Sequence, residues 1–268
     1  MQGHISFKII LLLPALVLFS FACVSNNLWP DVSQSSVPSG IDDAHLKEDR
    51  PLQQCRTKYI LAEIEAVNLN LGKVAGDGIS SLVALSNLAR SFFTLGELEK
   101  TDAKKEYFEK GYYFAEILCR KYPLQVEGHY WLALNLCGLC DSNRAGYALV
   151  QIPQIVKRLE EALSIDETYD QAGPHRVLGR IRFEAPNWPI SEGDLVAAVQ
   201  HIRKATQIAP DNSTNHLYLA EALFDRGLRA EACRELERAI SSTQHSISRC
   251  DLEEDREDAF HLMEKCNQ

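Results

Sequence analysis

The sequence has no cluster of lysine and arginine, and acidic residues outnumber basic ones. It carries 28 Lys and Arg against 37 Asp and Glu, a net charge of -9. Proteins that bind nucleic acid through its phosphates need clustered positive charge, so a nucleic-acid partner is excluded. The most acidic stretch, residues 251–258 (DLEEDRED), contains an arginine. It predicts a solvated helix face, with an acidic docking patch as the alternative.

The familiar metal-binding patterns are also missing. The eight histidines form no His-Glu-x-x-His pattern, and the pair Cys137-x-x-Cys140 has no second Cys-x-x-Cys to complete a zinc site. We therefore predict no metal and no cofactor. The pair lies late in a predicted helix with no strand before it. The helix dipole there raises a thiol pKa, whereas a nucleophile needs a lowered one. We predict structural thiols and no enzyme activity. A thiol oxidoreductase and a disulfide between Cys137 and Cys140 remain alternatives.

Eight cysteines are distributed over the whole chain, at positions 23, 55, 119, 137, 140, 233, 250 and 266. A folded body of about 220 residues can bury a sizeable core and does not need a dense disulfide framework. Most of the cysteines are therefore predicted to be buried thiols that act as small apolar side chains.

The N-terminal segment has the features of an export signal. A lysine precedes an apolar run of about 13 residues, which suits a signal-peptide core and is short for a membrane span. Residues 1–22 are predicted to be the signal peptide. Ala22-Cys23 resembles a bacterial lipobox, which implies acylation at Cys23; simple cleavage and a retained anchor are the alternatives. Residues 23–50, rich in Ser, Asn, Asp and Pro, predict a tether. The folded domain is then 51–268.

The folded body shows a repeating pattern of helix pairs. In residues 215–240, apolar side chains three and four positions apart mark two amphipathic helices around Gly227, and the small residues Ala220 and Ala232 permit close approach. Such a unit resembles a tetratricopeptide repeat. The fold class is therefore all-α, a tetratricopeptide-type helical-repeat solenoid.

Three earlier pairs show the same pattern. The predicted helices are 82–96 with 104–123, 128–139 with 155–166, and 175–183 with 194–210; residues 141–153 and 184–191 are predicted to be insertions. Residues 53–71 and 251–266 add flanking helices, which would cap the ends of a solenoid.

The phrases YFEKGYYFAEILCRKYP, EGHYWLALNLCG and AGPHRVLGRIRF, with residues 186–223, are similar to the T-component lipoproteins of TRAP transporters. This resemblance implies a lipid-anchored protein on the periplasmic side of a bacterial cell envelope. It would bind an extracytoplasmic solute receptor, with a small organic or hydrophobic solute as a further ligand. A scaffold for envelope assembly is the alternative, and a homo-oligomer stays open.

A protein partner is predicted to bind the concave face formed by the first helix of each pair, where rings bury apolar area and arginines grip carboxylates. The residues predicted to line this groove are Arg90, Phe93, Tyr130, Leu134, Arg176, Arg180, Phe183, Leu217, Glu221 and Phe224, with Cys137 at the same level. The alternative is that these rings close the superhelix on itself. Asn135 and Asn215 are expected to make structural hydrogen bonds. Trp188 is either a contact residue at the rim or a lid folded over the helices.

Overall fold

A computed structural model describes residues 51–76, 81–143, 145–245 and 249–266, and these form helices without any β-strand. The helices are α1 (Pro51–Gly76), α2 (Leu82–Leu98), α3 (Lys104–Lys121), α4 (Val126–Asp141), α5 (Ala145–Ile165), α6 (Tyr169–Glu184), α7 (Leu195–Ile208), α8 (Ser213–Asp225), α9 (Arg229–Ser241) and α10 (Arg249–Met263), followed by a 3-10 helix at Glu264–Cys266. The predicted signal peptide, the tether and Cys23 lie outside these residues.

The predicted solenoid of four helix pairs is confirmed: α2 packs on α3, α4 on α5, α6 on α7 and α8 on α9. Small residues set the spacing within the pairs, as the sequence indicates. A Cβ atom on Gly179 would lie 2.4 Å from Cγ1 of Ile202 on the facing helix, and Ala220 and Ala232 are fully buried. Side-chain caps fix several helix starts; Asp194 accepts hydrogen bonds from the backbone N–H groups of Val196 and Ala197.

The insertion predicted at 141–153 is wrong, because α5 begins at Ala145 and runs through Pro153. Proline removes a backbone hydrogen bond from a helix interior, which is why the sequence favours a break there. The helix continues because its apolar period continues. Ala148 and Ile152 before the proline are buried on the same face as Ile155 and Leu159 after it.

The start of α6 departs from helical geometry. Asp170, Gln171 and Ala172 all have positive φ angles, of 50°, 56° and 64°. Residues other than glycine rarely adopt this left-handed conformation, and three in succession store backbone strain. We call residues 170–172 the left-handed turn. Regular helix begins at Gly173, close to the predicted start at residue 175.

The buried apolar side chains form two separate clusters. The first extends from α1 to α6 and the second takes in α7, α8, α9 and part of α10. Two buried arginines of α6, Arg176 and Arg180, make polar contacts with α8 across the boundary between the clusters. We call α1–α6 and α7–α10 the two halves of the solenoid; they meet through the packing of α6 on α7 and through these polar contacts.

The two flanking helices do more than cap the ends. Six helices contact one another in the order α1, α2, α4, α6, α8 and α10, and α10 in turn contacts α1. These six helices form a closed circuit, which we call the inner ring. At the closure, Arg56 forms an ion pair with Glu254, and Cys55 forms a disulfide with Cys250.

The prediction that most cysteines are free thiols is wrong for four of them. Besides Cys55–Cys250, a second disulfide joins Cys233 on α9 to Cys266. The prediction is confirmed for Cys119, Cys137 and Cys140, which are free and buried. The acidic stretch near the C-terminus is also less solvated than predicted: Asp255 is buried and accepts a hydrogen bond of 2.7 Å from Thr214 Oγ1 at the start of α8. Within the described residues, no helix is long and apolar enough to cross a membrane.

Candidate functional site

The residues predicted to line a groove lie mostly inside the protein. Six of them are buried, with at most 7% of their surface exposed: Phe93, Tyr130, Leu134, Arg176, Arg180 and Leu217. Arg90, Phe183, Glu221 and Phe224 are only partly buried. Buried side chains offer no surface to a partner in this conformation, so the six act in packing here. Contact with a partner by the other four stays a prediction.

The buried apolar members of the set pack inside the apolar clusters of the solenoid. The ring of Phe93 lies 5.8 Å from that of Phe108 and 5.9 Å from that of Trp131, measured between centroids. Leu134 belongs to the same apolar cluster and Leu217 to the second one. This arrangement matches the alternative in which the rings close the superhelix on itself.

Arg176 is the centre of a buried hydrogen-bond network. Its guanidinium donates to Asp170 Oδ2 over 2.9 Å, to the backbone oxygens of Asp170 and Gln171, and to Asn215 Oδ1. Tyr130 donates to the same carboxylate oxygen of Asp170 over 2.5 Å. The network thus joins α4, α6 and α8 and holds the left-handed turn through its carbonyl groups.

The ionisable groups in this network shift one another's pKa values. Burial raises the pKa of Asp170, and the Arg176 guanidinium opposes that shift. The pKa of Tyr130 is raised well above its ordinary value by burial and then by the Asp170 carboxylate. Tyr130 therefore keeps its proton and acts as a donor.

Arg180 makes a second charged contact between α6 and α8. It pairs with Glu184 one turn along α6 and with Glu221 on α8. Its guanidinium also lies 4.4 Å from the centroid of the Tyr218 ring. Burial opposes the charge, but the two carboxylates outweigh that effect and raise the pKa of Arg180.

Two of the partly exposed members, Arg90 and Phe224, contact the flanking segments. Arg90 on α2 contacts Glu63 on α1 over 3.4 Å and keeps 41% of its side chain exposed. Near the C-terminus, the Lys265 ammonium lies 5.6 Å from the centroid of the Phe224 ring. Each of these pairs connects a repeat to a flanking helix or to the C-terminal segment.

Cys137 and Cys140 lie in α4, and no strand precedes them in the described part of the chain. Burial raises the pKa of Cys137 well above its ordinary value, and it raises the pKa of Cys140 to about 12. A raised pKa suppresses the thiolate, which is the reactive form. The prediction of structural thiols is thus supported by their position and by the direction of these shifts. No group of three or more metal-ligating side chains is found among the described residues.

Asn135 and Asn215 both make the structural hydrogen bonds predicted for them. Asn135 donates to the backbone oxygen of Ala89 on α2 over 3.1 Å and to that of Trp131 over 2.8 Å. Asn215 donates to the backbone oxygens of Gln171 and Ala205. Both side chains therefore join neighbouring repeats.

Trp188 is the most exposed large apolar side chain among those described, at 83%, and Ile190 beside it is 64% exposed. Both belong to residues 185–194, between α6 and α7, which we call the Trp188 loop. The sequence left open whether Trp188 is a rim residue or a lid, and its exposure excludes the lid.

Several hydrogen bonds fix the shape of the Trp188 loop. Arg182 on α6 donates to the backbone oxygen of Glu192 over 2.9 Å and to its carboxylate over 2.6 Å. The backbone N–H of Gly193 donates to the oxygen of Pro186. A Cβ atom on Gly193 would lie 2.1 Å from the oxygen of Ala185, so this close approach requires glycine. The loop therefore presents its apolar side chains in one conformation.

The sequence interpretation missed the left-handed turn and the polar closure of the inner ring. Asp170 follows Tyr169 in a segment that looks like an ordinary helix start, and nothing local in the sequence indicates a left-handed backbone there. A signal existed in Pro174, because proline is favoured in the first turn of a helix and so indicates that regular helix begins next to it. Arg56 and Glu254 are separated too far in sequence for a local pattern to connect them.

Comparison with known proteins identifies the family. Residues 76–267 match the family model described as regulator of microtubule dynamics protein 1-3, which spans α2 to the C-terminal 3-10 helix. A comparison with curated proteins gave no match.

The family match corrects the predictions that rested on the TRAP transporter resemblance. The assignment to the T-component family, the role in solute uptake and the assignment as a lipoprotein on the periplasmic side of a bacterial envelope are wrong, because microtubules belong to the eukaryotic cytoskeleton. Short phrases in helical repeats record the packing of small and aromatic residues, which unrelated repeat proteins share. The match covers most of the chain, and the chain belongs to the regulator of microtubule dynamics protein family.

Proposed function

We propose that this chain regulates microtubule dynamics by binding a protein of the microtubule system, without catalysing a reaction. The family match over α2 to the C-terminal segment supports the microtubule link. Helical-repeat solenoids commonly act as binding surfaces. The raised pKa values of the buried thiols speak against a thiol-based reaction at Cys137 and Cys140.

The Trp188 loop is the surface that we assign to the contact, and its exposed tryptophan is the observation that carries the proposal. A rigid loop with two exposed apolar side chains meets a partner at low cost in conformational entropy. Tryptophan is also among the residues that dominate binding energy at protein interfaces. The predicted groove offers less exposed surface to a partner, because most of its residues are buried.

Purified full chain and purified tubulin provide the test. The chain is added to polymerising tubulin, and the rate and extent of assembly are followed by light scattering; binding to assembled microtubules is followed by co-sedimentation. We expect a concentration-dependent change in assembly. We expect Trp188→Ala to weaken binding about 30-fold, which corresponds to roughly 2 kcal/mol.

Leu124→Ala is the matched control, because Leu124 is 81% exposed but lies between α3 and α4, away from the Trp188 loop. It should bind like the unaltered chain. Equal losses in both variants would reject the loop as the contact. No effect of the unaltered chain on tubulin assembly or sedimentation would reject tubulin as the partner.

A further inference from the structure

The disulfide between Cys55 and Cys250 connects two parts of the protein that otherwise have separate cores. Cys55 is on α1, whose Val67 and Val74 belong to the first apolar cluster. Cys250 is on α10, whose Ala259 belongs to the second cluster. The two cysteines are 195 residues apart in sequence, with Cα atoms 5.9 Å apart. The bond therefore joins the two halves of the solenoid on the side opposite the repeat-to-repeat contacts.

A charged contact accompanies the disulfide at the closure. The ion pair between Arg56 and Glu254 lies beside the disulfide, with 9% and 13% of the two side chains exposed. Across the rest of the boundary, the halves meet through the packing of α6 on α7 and through the polar contacts of Arg176 and Arg180 with α8. Polar contacts can exchange with water when an interface opens, whereas a continuous apolar core resists opening. The α1–α10 contact joins helices whose apolar residues belong to different clusters, so the inner ring is weakest there.

We propose that Cys55–Cys250 is a redox-sensitive clasp that keeps the inner ring closed, and that its reduction lets the two halves separate at the α1–α10 contact. The closed ring is the state of the oxidised protein and the open ring that of the reduced protein. This inference does not depend on the microtubule role. It concerns the conformation of the chain alone.

The accessible sulfur defines how the clasp opens. Cys55 is partly exposed and Cys250 is buried. A thiolate of a dithiol reductant attacks Sγ of Cys55, the S–S bond breaks, and Cys250 leaves as a thiolate and takes up a proton. The second thiol of the reductant then displaces Cys55, which is also protonated. The protein gains two electrons and two protons, and the reductant becomes a cyclic disulfide.

The second disulfide provides a matched control. Cys233–Cys266 joins α9 to the C-terminal 3-10 helix, so both of its cysteines belong to the same half. Its removal should loosen the C-terminal segment and leave the contact between the halves in place. The pair of double variants therefore separates closure of the ring from the general effect of losing a cross-link.

The experiment uses the full chain, purified without reductant, with peptide mapping to identify its disulfides. Hydrogen exchange is then measured for residues 51–60 and 249–263, in the presence and absence of dithiothreitol. We expect dithiothreitol, or Cys55→Ser with Cys250→Ser, to speed exchange in both segments at least tenfold. Dithiothreitol should add nothing in these segments of that variant. Cys233→Ser with Cys266→Ser should affect only the residues next to 266.

Two results would overturn the proposal. One is a map that shows Cys55 and Cys250 as free thiols in the protein purified without reductant. The other is exchange in residues 51–60 that is no faster in the Cys55/Cys250 double variant than in the Cys233/Cys266 double variant. A loss of folding in the first variant would show as fast exchange throughout α2–α9, and Arg56→Gln in the oxidised protein then serves as the second variant. It should leave exchange unchanged if the disulfide alone keeps the ring closed, and fast exchange there would also overturn the proposal.

Discussion

The hydroxyl group of Tyr130 donates a hydrogen bond to Asp170 over 2.5 Å, and the same carboxylate oxygen accepts from Arg176 over 2.9 Å. Tyr130 belongs to the second helix pair, and the other two belong to the third. One partly buried carboxylate therefore fixes the spacing between neighbouring repeats and the start of α6.

This network predicts an unequal response to two substitutions. Arg176→Met should lower the free energy of unfolding by about 2–4 kcal/mol, because it leaves the partly buried Asp170 carboxylate without its cation. Tyr130→Phe should cost about 1–3 kcal/mol, since the ion pair survives. Urea unfolding followed by circular dichroism measures both. Arg158→Met, at a half-exposed ion pair with Glu161, is the control and should cost less than 1 kcal/mol. A cost for Arg176→Met no larger than the control would contradict the role of the network.

Replacing the buried Gly179 by alanine should change stability in the opposite direction to replacing an exposed glycine. Gly179→Ala would place a methyl group against Ile202 and the backbone oxygen of Ala198, so we expect a loss of about 1–3 kcal/mol in thermal or urea unfolding. Gly72 lies in α1 with no atom within 4 Å of an added Cβ. Gly72→Ala should therefore stabilise the protein by roughly 0.5–1 kcal/mol, because alanine favours helix. Equal effects of the two substitutions would show that α6 and α7 are less closely packed than described.

Asp141 predicts a pH-dependent stability. Burial and then the Glu184 carboxylate raise its pKa to about 7 from an ordinary value of 3.8. A carboxyl group with a raised pKa binds more protons in the folded state, so it destabilises the fold progressively as the pH rises from about 4 to about 7. Asp141→Asn removes this penalty. The variant should match the unaltered chain near pH 4 and exceed its stability by about 2 kcal/mol at pH 8, after allowance for solvent screening.

Asp225→Asn is the control for this pH dependence. Asp225 is the last residue of α8, as Asp141 is the last residue of α4, but it is exposed. Its replacement should change stability little at either pH. The explanation fails if the Asp141→Asn variant gains no stability over the unaltered chain between pH 4 and pH 8.

The buried thiols predict slow alkylation. The pKa of Cys140 is raised to about 12 and that of Cys119 to about 11, in both cases chiefly by burial. Iodoacetamide at pH 8 should leave Cys119, Cys137 and Cys140 unmodified under conditions that modify all three in urea, as measured by peptide mass spectrometry. Modification of Cys140 in the native protein at the rate of a free cysteine would revive the thiol oxidoreductase alternative.

Local patterns predicted the helix pairs because they depend on local chemistry. Apolar residues three and four positions apart, with small residues such as Gly179 and Ala220 at the contacts, indicate which faces meet. The same signals failed where distant residues decide the outcome. Cys55 and Cys250 are 195 residues apart, and eight helices separate them in the sequence. No spacing in the sequence announces that pairing.

The predicted groove shows a different limit of sequence interpretation. A helix face that carries Arg176, Arg180 and Phe183 suits a ligand-binding surface and equally suits a buried polar contact between repeats. Only the positions of Asp170 and Glu221 on neighbouring segments distinguish the two cases. The break predicted before Pro153 was wrong for a similar reason. The burial of apolar residues on both sides of the proline outweighs the backbone hydrogen bond that it removes.

Closure of the inner ring also bears on the order of folding. Among the described helices, the other contacts join helices that are at most two apart in the chain, whereas α1 and α10 are at opposite ends of the body. Contacts between close neighbours form quickly, and a contact that spans the whole chain carries the largest loop-closure entropy. The repeats therefore assemble as neighbours, and the union of the first helix with the last completes the native topology as a late, high-contact-order event.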